Sequence, residues 1–244
     1  MQDTSRIALV TGATRGIGLQ TVRQLAEAGV HTLLAGRDRE RAVEAALKLQ
    51  AEGLPVEAIA LDVTDDDSIA QAVRSVEARH GRLDILVNNA GILIDETGKK
   101  VSEQSASTWR RTFDTNVFGL IAVTRAFLPL LHRSNAGRIV NVSSILGSLA
   151  LNADPASPIY DFKVPAYNVS KTAVNAWTVQ LAYELRDSRI KVNTIHPGYV
   201  KTDMNAGEGE LDIPDGARTS VALALIDDNG PQGGFFYREE VLPW

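Results

Sequence analysis

Tyr167 and Lys171 stand four positions apart in Tyr167-Asn168-Val169-Ser170-Lys171, a spacing that puts both on one face of a helix. An ammonium beside a phenol stabilises the phenolate. A fall of two or three units from the ordinary value of about 10 corresponds to about 3–4 kcal/mol. A tyrosine tuned in this way gives a proton to a carbonyl oxygen, or takes one from an alcohol. Upstream, Asn141-Val142-Ser143-Ser144 puts hydroxyls at the end of an apolar run, where a serine can hold a substrate oxygen against the tyrosine. Asn116, in Thr115-Asn116-Val117-Phe118-Gly119, interrupts an apolar helical stretch and needs a partner or a role. Holding a water that relays protons to Lys171 is one such role.

A second constellation binds rather than reacts. Thr11-Gly12-Ala13-Thr14-Arg15-Gly16-Ile17-Gly18 follows the first apolar run and leads into a helical pattern. Glycines there let backbone N–H groups approach a pyrophosphate at the positive end of a helix. After the second run, Gly36 leaves room and Arg37 offers a planar fork suited to a phosphate. Arg15 adds a positive charge on the same side, so the pair favours the 2′-phosphate of NADP over NAD. Asp38 lies at the distance of an NAD-type acid, but it immediately precedes a helix and suits an N-cap better. Asp62-Val63 and Asn88-Asn89-Ala90-Gly91 follow the next two runs. The first offers a carboxylate for an adenine amino group, or a plain turn acid. The second is a small-residue turn against which a cofactor can press.

The elements that must position these residues alternate along the chain. Apolar runs at 7–10, 31–35, 56–61, 83–88, 138–143 and 191–196 read as strands buried on both faces of a parallel sheet. Helical patterns occupy 17–28, 39–52, 66–80, 107–132 and 166–186, several of them ending at a glycine. The tail reads as a helix at 217–226, a Gly/Pro turn, and a seventh strand at 235–237. The expected fold is α/β, a doubly wound parallel sheet of about seven strands with helices on both faces. No linker divides the chain, so residues 1–244 are expected to form one domain, with substrate loops at about 145–165 and 203–216.

Composition narrows the classes. The 244 residues include no cysteine, which excludes a disulfide scaffold, thiolate metal sites and a cysteine nucleophile. A net charge of −5 gives no basic face for nucleic acid or anionic lipid. No apolar run is expected to reach the ~20 residues of a membrane span. The polar residues 1–6 carry no secretory pattern, so a cytoplasmic protein is expected. His31, His80, His132 and His196 are scattered without metal-ligand spacing, and no metal is expected.

Taken in order, TGATRGIG, NNAG, the Asn116 helix, NVSS, YNVSK and His196-Pro197-Gly198-Tyr199-Val200-Lys201-Thr202 resemble the short-chain dehydrogenase/reductase family across nearly the whole chain. PGYVKTDM and the ending EEVLPW are most similar to its NADPH-dependent carbonyl reductase branch. The resemblance implies a Rossmann-type fold and hydride transfer to a ketone or aldehyde. It makes Tyr167 the general acid. Lys171 lowers its pKa and holds the nicotinamide ribose, Ser144 rather than Ser143 orients the carbonyl, and Asn116 completes the proton relay. It also implies cofactor contacts from Gly12, Thr14, Arg15, Gly16, Ile17, Gly18, Arg37, Asp62, Val63, Asn89, Gly91, Pro197, Gly198, Val200 and Thr202, with Tyr167 and Lys171. From Ser144 to Tyr167 is 23 positions, longer than in many members, with the extra residues falling in 152–162. The oligomeric state, monomer or homodimer, is therefore open. The loop before residue 216 is short and suggests an open pocket. The competing expectations are an NAD(P)-dependent alcohol dehydrogenase running oxidatively, an epimerase or dehydratase of the same fold, and a non-catalytic NADP-sensing protein.

Overall fold

The structure, a computed structural model, describes residues 6–244. The reading of the first six residues as free of a secretory pattern falls, except for Arg6, outside them. Along each early strand, successive side chains point to opposite faces. In β1 (Ile7–Val10), Ile7 and Leu9 enter one core while Ala8 and Val10 enter another. β2 (His31–Gly36) divides in the same way, with Leu33 and Ala35 on the first side and Leu34 on the second. Continuous apolar runs are thus buried twice, which explains why they do not alternate in sequence.

The remaining strands are β3 (Val56–Ala60), β4 (Ile85–Asn88), β5 (Arg138–Val142), β6 (Lys191–Ile195), β7 (Phe235–Tyr237) and β8 (Glu240–Val241). They form one eight-stranded sheet in the order β3-β2-β1-β4-β5-β6-β7-β8, parallel except for the last pair. The expectation of about seven strands missed β8, whose two residues pair antiparallel with β7. Its turn has Arg238 at φ 54°, a left-handed conformation usually announced by glycine or asparagine.

Helices α1 (Gly16–Glu27), α2 (Arg39–Ala51) and α8 (Ile213–Ala224) cover one face with Val22, Leu25, Ala46, Leu49 and Leu223. On the other lie α3 (Asp66–His80), α5 (Leu120–Leu131) and α7 (Pro165–Glu184), contributing Ile69, Val76, Val123, Phe127 and Leu181. Truncating a side chain such as Phe127, which is 0% exposed, to alanine costs about 3–5 kcal/mol. α8 starts four residues before the expected 217, with Pro214 inside its first turn; proline is tolerated there because its missing N–H has no helical partner to lose.

The expected helix at 107–132 has three parts. α4 (Ala106–Phe113) runs into a π-helical turn, Asp114–Gly119, and then into α5. Together they form a stretch, Ala106–Leu131, of 26 residues, long and apolar enough by length and composition to cross a membrane. That differs from the expectation of no such run. Half of its most apolar window is buried in the protein, and Val123, Phe127, Leu130 and Leu131 lie in the core.

Where β4, β5 and β6 near their carboxyl ends, the core turns polar. Asn88 Nδ2 donates to Asn141 Oδ1 and to Thr124 Oγ1 of α5, both at 2.9 Å. Asn141 Nδ2 donates to Thr178 Oγ1 of α7 at 2.9 Å, and the Thr194 hydroxyl joins Thr178 at 2.6 Å. This ladder ties three strands and two helices together directly beneath the loops described next.

Candidate active site

The strand order reverses between β1 and β4, and the loops after them meet at the carboxyl edge of the sheet. In open α/β sheets this is where ligands bind. The Thr11 hydroxyl accepts the N–H groups of Asn89 and Ala90 at 3.0 and 3.1 Å. In return, Asn89 Nδ2 donates to the carbonyls of Thr11 and Gly12 at 2.9 and 3.1 Å. Gly12 has φ 61°, and a Cβ there would lie 2.8 Å from Ala90 Cα. A Cβ on Gly18 would lie 2.4 Å from Asn89 Nδ2, and one on Gly36 would strike Thr14 Cγ2 at 2.5 Å. Glycine is thus required at all three positions by close approach. Gly16, at φ 58°, faces open space. α1 begins here with no side-chain cap and no acidic residue in its first turn, so its N-terminal N–H groups are available to an anion. These residues fit a dinucleotide pyrophosphate.

Beside this cradle, β5 leads into Ser143 and Ser144, and α7 brings Tyr167 and Lys171 up to them. The Ser144 side chain lies beside the Tyr167 phenol and favours its ionised form. The Ser143 hydroxyl turns away and donates to the Lys171 carbonyl at 3.3 Å. Lys171 Nζ donates to the Val142 carbonyl at 2.8 Å and lies 5.5 Å from the centroid of the Tyr167 ring. Both side chains are buried, at 8% and 4% exposure. Burial pushes the Tyr167 phenol up to about 12, opposed by the neighbouring Ser144 hydroxyl, and pushes the Lys171 ammonium down to about 8. Burial thus works against the expected lowering of the phenol by Lys171, because desolvation disfavours both charged forms. The site holds a protonated phenol.

Asn116 lies in the π-helical turn, 1% exposed. Its Oδ1 accepts the Ile92 N–H at 2.8 Å, and its Nδ2 donates to the Ile92 carbonyl and the Ser170 hydroxyl at 2.9 and 3.0 Å. The polar side chain that looked out of place in an apolar helix thus fastens the segment after β4. A Cβ on Gly91 would lie 3.5 Å from both Asn116 Oδ1 and Lys171 Nζ, so this glycine keeps open the space between them.

Residues 6–211 match the short chain dehydrogenase family. The chain belongs to that family and is an oxidoreductase. It is 35% identical to (+)-neomenthol dehydrogenase of Capsicum annuum, covering 98% of this chain and 97% of that relative. That alignment runs over 307 positions against 244 residues here, so at least 63 of its positions have no residue in this short-chain dehydrogenase. The NADPH-bound carbonyl reductase from chicken fatty liver superposes with a TM-score of 0.85 at 28% identity, covering 98% of this chain and 99% of that one. Salutaridine reductase from Papaver somniferum gives 0.83 at 30% identity, with coverage of 95% and 99%.

Other expected residues of this short-chain dehydrogenase have local partners. Arg15 does not stand free beside Arg37: its guanidinium pairs with Asp203 at 2.8 Å, both groups being largely exposed. Arg37 is exposed and has no hydrogen bond or ion pair among the described residues. Asp38 caps α2 by accepting the Arg41 N–H at 3.1 Å. Asp62 accepts the N–H and hydroxyl of Thr64 at 2.9 and 2.7 Å, and the carbonyl of Val63 packs against Gly119. Asn89 faces the glycine loop rather than standing free toward the cleft.

Past β6, Pro197 leads into Gly198 at φ 90°, and Val200 bridges to Leu211. Thr202 N and Oγ1 both donate to Asn205 Oδ1, at 3.0 and 3.2 Å. The loop expected at 145–165 contains a short helix, α6 (Leu149–Ala153). His196 packs 5.3 Å from the Tyr237 ring, and burial pushes it down to about 4.

The histidines are less scattered than their spacing suggests. His31, Glu57 and His80 bring ligand atoms within 4.8 Å of one another, at the starts of β2 and β3 and the end of α3. This is the sheet edge opposite the cleft. Glu57 is already engaged by the Arg79 guanidinium and lies 2.8 Å from His31 Nε2, which makes the group an ion-paired corner. One functional candidate escaped sequence reasoning altogether: Asp95, whose carboxylate reaches the first turn of α7.

Proposed function

We propose that this oxidoreductase reduces ketones and aldehydes to alcohols with NADPH. The observation that carries the reading is the meeting of Ser144, Tyr167 and Lys171 beside a glycine cradle on one sheet edge. The bound cofactor supplies the hydride. Tyr167, held protonated by burial, delivers its phenolic proton to the carbonyl oxygen as that oxygen gains charge. The Ser144 hydroxyl, beside Tyr167, orients the same oxygen. Lys171, buried one turn along, lowers the cost of the phenolate left behind and offers donors to the nicotinamide ribose. Asn116 keeps the segment after β4 closed against α7.

Arg37, exposed and without a partner among the described residues, supports the choice of NADPH, since its fork fits a 2′-phosphate. The names of the relatives, which include an NADPH-bound carbonyl reductase, support it as well. Leu149, Phe162, Tyr199 and Met204 are exposed large apolar side chains on the two loops flanking the cleft, so the substrates are apolar carbonyl compounds. The test is loss of NADPH absorbance with a panel of apolar ketones and aldehydes. Tyr167→Phe should abolish turnover, about a thousandfold or more for loss of the proton donor with its oxygen, while NADPH still binds. Undiminished turnover in Tyr167→Phe refutes the mechanism.

A further inference from the structure

Helix α7, which carries Tyr167 and Lys171, opens without a cap of its own. Val164 at the N-cap supplies no side-chain hydrogen bond, and Pro165 has no N–H to satisfy. The Asn168 N–H is taken by the Val164 carbonyl at 2.8 Å. Two donors remain in the first turn, those of Ala166 and Tyr167, and one carboxylate accepts both. Asp95 Oδ1 receives the Ala166 N–H at 2.7 Å, and Oδ2 receives the Tyr167 N–H at 3.1 Å. Every N-terminal donor of a 20-residue helix is thereby accounted for. A full negative charge sits at the positive end of the helix dipole.

The segment bearing Asp95 is itself fixed. Asn116 clamps Ile92 through both its N–H and its carbonyl. Glu96 N–H donates to Gln104 Oε1 at 2.8 Å, and Glu96 Oε2 accepts the Ser105 N–H at 2.9 Å. Asn116 Nδ2 donates to Ser170 Oγ, which donates in turn to the Tyr167 carbonyl at 2.7 Å. The circuit closes on the reacting tyrosine.

We propose that Asp95 is a positioning residue for Tyr167: its carboxylate fixes the tyrosine backbone and opposes ionisation of the phenol, keeping it in the proton-donating form. The inference rests on the reading of Tyr167 as the proton donor. Around Tyr167, Lys171 from its own helix lies 5.5 Å from the ring, Ser144 from the end of β5 acts on the phenol, and Asp95 from the segment after β4 holds the backbone N–H. Lys171 and the helix dipole favour the phenolate. Asp95 cancels the dipole and repels the phenolate, in the same direction as burial, which holds the phenol near 12.

Asp95→Asn keeps the size and one acceptor but removes the charge and the second acceptor. With NADPH and a carbonyl substrate, kcat should fall about tenfold or more, as for loss of a charge-assisted hydrogen bond. NADPH affinity, read by fluorescence titration, should stay within about twofold. The basic limb of the pH–rate profile should move to lower pH by about half a unit or more, and Asp95→Glu should restore part of kcat. A second readout needs no turnover: NMR of isotope-labelled tyrosine, with Tyr167→Phe supplying the assignment, should show Tyr167 ionising at lower pH in Asp95→Asn. If Asp95→Asn does not fold, Asp95→Ser, an uncharged acceptor, enters the same measurements. A pH profile and a tyrosine titration that superpose on the wild type overturn the proposal. A wild-type protein that reduces no carbonyl overturns the functional reading, while the NMR titration still decides the role of Asp95.

Discussion

Replacing Lys171 by methionine should abolish reduction and yet make the protein more stable near neutral pH. Lys171 is 4% exposed, and burial lowers its ammonium from 10.5 to about 8. At ~1.4 kcal/mol per unit, holding that charge in the folded protein costs about 3 kcal/mol at pH 7. Methionine fills a similar length without a charge, but it leaves the Val142 carbonyl without the donor now 2.8 Å away. A buried acceptor stripped of its partner costs about 1–3 kcal/mol. The expected net gain is about 0–2 kcal/mol, or up to roughly 4–8 °C in melting temperature for a chain of this length. The sign follows from proton binding. Between pH 8 and 10.5 the unfolded chain binds more protons at Lys171 than the folded one, so wild-type stability rises with pH across that window. The advantage of the variant should shrink there and be gone above the window. Urea denaturation of both proteins at pH 7 and at about pH 10, within the upper end of that window, measures it. A variant less stable than the wild type at pH 7, or a difference independent of pH, would show that the ammonium is not held at the cost assigned to it.

Three further predictions concern charge. Arg37→Ala should weaken NADPH binding about tenfold, the worth of one charged contact to a phosphate, and leave NADH binding unchanged; a parallel loss for both cofactors would remove Arg37 from the specificity argument. Asp203→Asn frees Arg15 from its ion pair and should tighten NADPH binding by a few-fold, a small effect because exposed pairs are worth about 1 kcal/mol or less; fluorescence titration reads both. For His196, the folded value of about 4 lies below the ordinary 6.5. Its contribution to stability is present above pH 6.5 and lost as pH falls toward 4, at most about 3 kcal/mol in all. His196→Gln should therefore flatten the acid side of the stability profile in urea melts, and an unchanged slope there would contradict a buried neutral imidazole.

Local patterns declared the parts of the site; tertiary distances set what those parts do. The glycine loop, the Asn89 turn and Ser144 were legible because each sits at the end of an apolar run whose length marks a doubly buried strand, and Tyr167 and Lys171 because their four-residue spacing opens a helix. Asp38 was correctly read as an N-cap because a cap acts on residues three positions on. Asp95 left no such mark, since its partners lie 71 and 72 positions away. The Arg15–Asp203 pair spans 188 positions, so Arg15 looked free in sequence. The π-helical turn around Asn116 keeps the composition of an ordinary helix and differs only in its hydrogen bonding. Spacing showed the lysine beside Tyr167 but not the burial that raises the phenol.

The polar ladder of Asn88, Asn141, Thr178 and Thr194 acts as an error check on sheet assembly. Asn88 pairs directly with Asn141, and Asn141 with Thr194, in adjacent parallel strands. Each continues a row of core residues, Leu86, Ile139 and Val192. Sliding any one of these strands by a single residue turns its side chains to the opposite face. A row of aliphatics alone would tolerate such a slip, because valines and isoleucines stand on both sides of the sheet. The amides and hydroxyls would not, since each misplaced one would be buried without its partner at about 1–3 kcal/mol. Ser144 follows Asn141 by three residues and Pro197 follows Thr194 by three, so the groups that rule out a slipped sheet also fix, to the residue, where the loops of the candidate site emerge.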